Sequence, residues 1–164
     1  MIRVIGLGSP FGDDDAGWRV VERLRGRLPA AIDLQTLDRP GAALINWFEG
    51  VSHLLIIDAI SGHPTPGKIL HLAADDLQTR HGRISSHHLD LQQTLALASV
   101  IHRRPARIEI MGVSLGDPNA RNPAVETGCT SLVAELAERF SRAEEALPLH
   151  SKARTAGLVH SDPA

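Results

Sequence analysis

The chain has no tyrosine, only three phenylalanines and two tryptophans, and a single cysteine among its 164 residues. So thin an aromatic complement leaves no platform on which nucleic-acid bases could stack. One thiol, Cys129, excludes an internal disulfide and any cysteine-cluster metal centre. An excess of one charge sign is also missing: the net charge is −2, with Lys and Arg scattered rather than striped, so nucleic acid is not an expected partner. No apolar run approaches the ~20 residues that a membrane-spanning helix requires. The first hydrophobic stretch is short, and Gly8-Ser9-Pro10 breaks it at once, unlike a secretory leader. A cytoplasmic protein with no membrane partner is therefore expected. With no obvious exposed apolar stripe in the pattern, a monomer is expected as well.

What is present is ordinary globular material, 43% hydrophobic and 22% charged, enough for one domain with a proper core. A single α/β domain is expected over residues 1–147. The tail, 148–164, is poor in apolar residues and is expected to be disordered.

The chain is organised around the stretch from Gly6 to Trp18. It is a glycine-punctuated loop between an apolar strand, residues 2–7, and a helix expected over residues 16–28, with Trp18, Val21, Leu24 and Leu28 at helical spacing. The loop ends in Asp13, Asp14 and Asp15. Acids in a first helical turn complement the helix dipole and cap free amides, and one of the three is expected to do no more than that. Three like charges together are tolerable if they share a cation or a proton.

Further along, residues 32–37 read as a second strand that ends at Asp38, and Arg39-Pro40-Gly41 breaks the chain before a short helix over 42–48. Residues 53–58 form an unbroken apolar run ending in Asp58, the pattern of a central parallel strand covered on both faces. A turn leads to a hairpin or edge strand at 68–73. Ser85-Ser86 is placed to cap a helix from His87 to about His102, with Leu91, Leu95 and Ala98 on its buried face. A strand at 107–113, a polar loop to Pro123 and a long amphipathic helix over 124–145 close the domain.

Such alternation implies a doubly wound three-layer α/β sandwich with a mostly parallel central sheet flanked by helices. In these sheets ligands bind beyond the carboxyl ends of the strands. Asp13 and Asp14, Asp38 and Asp58 all fall at that edge, and His87-His88 opens a helix that could reach it. Two carboxylates and an imidazole suit a borderline metal ion. The residues alone leave other readings open: Asp38 as a turn-capping acid, the paired histidines as solvent-facing or capping groups, and Gly6-x-Gly8 with Gly12 and Asp38 as a dinucleotide fingerprint. Against the last, carboxylates stand where a pyrophosphate would want amides and positive charge, and Pro10 removes one amide.

Three segments in order, Gly6-Leu-Gly-Ser-Pro-Phe-Gly-Asp-Asp-Asp-Ala-Gly17, Ile56-Ile-Asp-Ala-Ile60 and Ile84-Ser-Ser-His-His-Leu89, resemble the signature segments of the hydrogenase maturation endopeptidases. The resemblance extends over about residues 1–145. It implies a doubly wound α/β fold and an enzyme that removes a C-terminal extension from the large-subunit precursor of a nickel–iron hydrogenase after nickel insertion. Nickel is then carried by the substrate, and no organic cofactor is implied. The metal-engaging and catalytic residues implied are Asp14, counted three residues back from Gly17, then Asp58, and His87 rather than His88. Asp38 and Gly41 fall where the family places a substrate-contacting turn. Here that turn is Arg39-Pro40-Gly41 in place of a Gly-Gly-Thr type, and Ser9 stands where Asn is usual. A non-proteolytic chaperone of the same precursor and a self-contained metallohydrolase are the competing functions. Cys129 has no paired histidine in the pattern and no Gly-x-Ser-x-Gly elbow is present, which disfavours nucleophilic mechanisms.

Overall fold

A computed structural model describes residues 1–74, 86–117 and 119–145. Five strands make one sheet: β1 (Ile2–Gly8), β2 (Ile32–Asp38), β3 (His53–Ile60), β4 (Ile69–Ala73) and β5 (Arg107–Ser114), in the order β2-β1-β3-β5-β4. All neighbours are parallel except β4, which runs antiparallel to β5 as an edge strand. Three α-helices, α1 (Ala16–Leu24), α2 (Ser86–Val100) and α3 (Pro123–Glu145), flank the sheet together with a short 3-10 segment, Gly41–Trp47. The expected fold class is the observed one.

Strand alternation sorts the side chains into two cores. Val4, Leu55, Ile57, Met111 and Val113 face α1 and α3. Ile5, Leu7, Leu54, Ile56 and Ile110 face α2 and the 3-10 segment. A strand whose successive residues are all buried, as Leu54 to Ile60 are, has no solvent face, which is why its sequence reads as a continuous apolar run.

α1 stops four residues short of the expected end. Arg25 turns to ψ 127° and Gly26 adopts φ +74°, a conformation that suits glycine and ends the helix. Leu28 still packs on the core from the loop beyond. The start of α1 is fixed by contact rather than by caps. A Cβ on Gly17 would lie 2.3 Å from the Leu7 carbonyl oxygen and 2.4 Å from that of Ile57. Bare backbone at Gly6 and Gly17 lets α1 press on β1 and β3 at their carboxyl ends. Gly6, the first glycine of the apparent dinucleotide fingerprint, therefore serves helix–strand approach.

Leu97 and Val100 of α2, with Ile101 just beyond it, face solvent, so exposed apolar side chains do cluster at one place and exposure gives no ground for a monomer. Among the described residues no helix is long and apolar enough to cross a membrane. The expected disordered tail, 148–164, and the domain boundary at 147 lie outside the described residues.

Candidate active site

β1 is joined through α1 to β2 on one side, while β3 lies on its other side, so the strand order reverses between β1 and β3. At that reversal the loops leaving two adjacent strands diverge to opposite faces and open a crevice. Asp14 follows β1, and Asp58 lies two residues before the end of β3, which runs on to Ile60 rather than stopping at the acid, so both stand at this edge. Asp38 ends β2, in register with Gly8 on the far side of β1.

Asp58 is the most constrained of these groups. Its side chain is 2% exposed, and Oδ1 accepts a hydrogen bond of 2.8 Å from the Ala59 N–H. Burial pushes its carboxyl up from 3.8 to about 7; the Ala59 amide opposes this, and the negative charge of Asp14 adds to it. Asp14 therefore stands close enough for the two acids to influence each other. Its carboxylate accepts a hydrogen bond from the Ser9 hydroxyl, and the Ser9 N–H donates to the Asp14 carbonyl at 3.3 Å.

The other two acids of the run turn away. Asp13, 1% exposed, takes the Arg19 guanidinium at 2.7 Å and the Asn122 N–H at 2.6 Å. Asp15 is clasped by both terminal nitrogens of Arg121 at 2.7 Å. Arg19 also reaches Glu126 on α3 at 2.8 Å. Neither helical start has a side-chain cap. The expected cap is thus absent, and the mutual repulsion that a shared cation or proton would make tolerable is relieved at Asp13 and Asp15 by two arginines. Arg19 was legible as a partner four residues after Asp15. Arg121 was not, since 106 positions separate it from Asp15.

Asp38 is half exposed and pairs with its neighbour Arg39 at 2.6 Å. The following turn carries two positive φ angles, +40° at Arg39 and +52° at Gly41. The Thr94 hydroxyl donates to the Gly41 carbonyl at 3.3 Å and ties the turn to α2. Leu7, Gly8, Arg39, Gly41, Leu44 and Leu91 line a small cleft between this turn and α2. Leu91 sits one turn beyond His87 on α2. The side chains of His87 and His88 lie outside the described residues, so the third member of the expected trio is placed only by its position in the first turn of that helix. Among the described residues no group of three or more His, Cys, Asp or Glu side chains is arranged to hold a metal ion.

A buried acid and a second acid at the switch point of a doubly wound sheet are the opposite of a phosphate cradle, which wants amides and positive charge. The chain belongs to the hydrogenase maturation protease family, whose model (HycI) matches residues 19–145. It is 28% identical over 116 residues to the hydrogenase expression/formation protein HupD of Rhodobacter capsulatus, covering 68% of this chain and 55% of that protein. HupD of Bradyrhizobium diazoefficiens is 27% identical, covering 68% of this chain and 60% of that protein. The chain thus spans little more than half the length of these curated relatives. Among solved structures, the hydrogenase maturating endopeptidase HybD of E. coli superposes with a TM-score of 0.71 at 26% identity, covering 87% of this chain and 93% of that one. HybD of Thermococcus kodakarensis, at 21% identity, TM-score 0.67 and coverage of 85% and 98%, attests to the shared fold.

Proposed function

We propose that this protein is an endopeptidase that removes the C-terminal extension of a nickel-loaded hydrogenase large-subunit precursor. The observation that carries the reading is the buried Asp58 with Asp14 nearby, at the carboxyl edge of the sheet. Membership of the maturation protease family supports the substrate class.

In this reading nickel arrives as part of the substrate. Asp14, Asp58 and His87 engage it, a set of two oxygens and one nitrogen that suits a borderline ion. A precursor without nickel lacks that anchor, so the site discriminates loaded from unloaded substrate. The metal polarises the scissile carbonyl while Asp58 or Asp14 assists a water as general base. A carboxyl poised at about 7 is matched to that task, because near neutral pH it both accepts and returns a proton. Asp38 and Gly41 border the cleft on the side where the peptide would enter.

The test is mass spectrometry of a cognate precursor, nickel-loaded and nickel-free, after incubation with the protein. Loss of one C-terminal peptide from the loaded form alone is expected. Binding without cleavage would reassign the protein as a chaperone, and cleavage of both forms would remove the metal from recognition.

A further inference from the structure

We infer that Phe11 and Arg39 form a lip on the cleft that selects the substrate peptide, Arg39 holding an oxygen acceptor of the extended chain and Phe11 an apolar group beside it. The inference rests on the protease reading above and adds residues which that reading does not use.

Arg39 has φ +40°, in the left-handed region that non-glycine residues rarely occupy. A glycine would hold the same turn without steric cost, yet the position carries a long cation. Its guanidinium lies 6.0 Å from the centroid of the Phe11 ring. Phe11 is 60% exposed, the most exposed of the large aromatics, and it directly precedes the 3-10 turn that carries Asp14. A ring left in water gains nothing for folding, whereas a ring within cation–π reach of a guanidinium that lines the cleft extends that surface.

Asp38 receives Nε of Arg39 at 2.6 Å and one terminal nitrogen at 3.4 Å. A guanidinium has five N–H donors, so this pair orients the fork without exhausting it. The turn is also held from behind by Thr94 on Gly41. The lip is therefore set in place before a ligand arrives. An oxygen acceptor matches the donors of Arg39, and the extended peptide of a precursor offers such acceptors as main-chain carbonyls and as side-chain carboxylates.

The test uses Arg39→Gly, Arg39→Lys and Phe11→Ala, none of them at the acid pair. Because glycine suits φ +40°, Arg39→Gly is expected to keep or raise the melting temperature. Its kcat for precursor processing should stay within about twofold while KM rises about tenfold, with matching weakening of precursor binding on a biosensor. Arg39→Lys should fall between, since it restores charge but not the planar fork. Phe11→Ala should raise KM several-fold and add little on top of Arg39→Gly, as for two parts of one surface. A carboxylate acceptor will make the Arg39 effect shrink as salt rises, and a carbonyl acceptor will leave it flat. Unchanged precursor binding in Arg39→Gly overturns the lip, as does a joint loss of kcat and melting temperature, which would mark Arg39 as structural. The wild-type protein in the same assays keeps the two questions separate. If it binds but does not cleave, the protease reading fails, and the binding comparison still decides the lip.

Discussion

The two ends of the sheet treat an acid in opposite ways. At the amino edge Glu109 of β5 is met by His53 at 2.6 Å, Arg107 at 2.9 Å and Arg139 at 3.0 Å. Burial pushes its carboxyl up, but Arg139, Arg107 and His53 together outweigh that and hold it below the usual range. At the carboxyl edge Asp58 is more deeply buried, and no cationic side chain among the described residues pairs with it; a second acid stands nearby instead. The Glu109 cluster is what an acid needs for stability. The Asp58 arrangement costs stability, and a protein retains such a group where its chemistry is used.

The sharpest way to break this contrast is at the acid pair. Asp14→Ala and Asp58→Asn are expected to lower precursor processing by at least about a hundredfold, measured by mass spectrometry, because each removes a group that acts on the reacting centre. Stability should move the other way in Asp58→Asn. The folded protein holds the Asp58 proton up to about pH 7 and the unfolded chain only to 3.8, so the stabilising linkage is full below about pH 4 and is lost as pH rises towards 7. Replacing the acid by its amide removes that slope and should raise unfolding free energy by up to roughly 4 kcal/mol above pH 7. Denaturant melts of both proteins from pH 4 to pH 8 will show whether the two curves diverge as pH rises.

Gly17→Ala tests the scaffold beneath the pair. The new methyl would overlap the Leu7 and Ile57 carbonyls and must displace α1. A loss of about 2–3 kcal/mol is expected by thermal melting, with processing reduced in proportion as the Asp14 turn moves.

Glu109→Gln should affect only stability. The pair partners are partly exposed, so the cost is discounted to about 1–2 kcal/mol, with processing within about twofold of wild type. Its pH signature is the mirror of Asp58. A depressed carboxyl stabilises the fold above its unfolded value of about 4.5, and that contribution is lost as pH falls through the folded value, so the variant should differ from wild type at neutral pH and converge with it in acid.

Arg121→Ala is the smallest change. Its guanidinium is more than half exposed, and removal should cost about 0.5 kcal/mol or less, read as a shift of a degree or two in melting temperature. A large loss of processing in this variant would mean that Asp15, not Asp14 alone, shapes the site.

Much of this was written locally. The apolar run ending in Asp58, the breaker at 39–41 and the helical spacing from Ala16 are properties of neighbouring residues, and each produced the expected element within a few positions. The end of α1 was misjudged because Leu28 keeps the helical period while Gly26 ends the helix. The convergence of Asp14, Asp38 and Asp58 on one edge followed from alternation of strands and helices, since a parallel sheet puts every such loop on the same side.

Which of three adjacent aspartates would face the crevice could not follow from local pattern, because all three are chemically equal along the chain. Their fates were settled by partners brought from far away: Arg121 takes Asp15, the Asn122 amide takes Asp13, and both lie in the loop before α3. The same holds for Asp58. The sequence by itself determined that an acid falls near the carboxyl end of the central strand; only tertiary packing, which removed water and brought Asp14 rather than an arginine beside it, decided that this acid would hold its proton close to neutral pH.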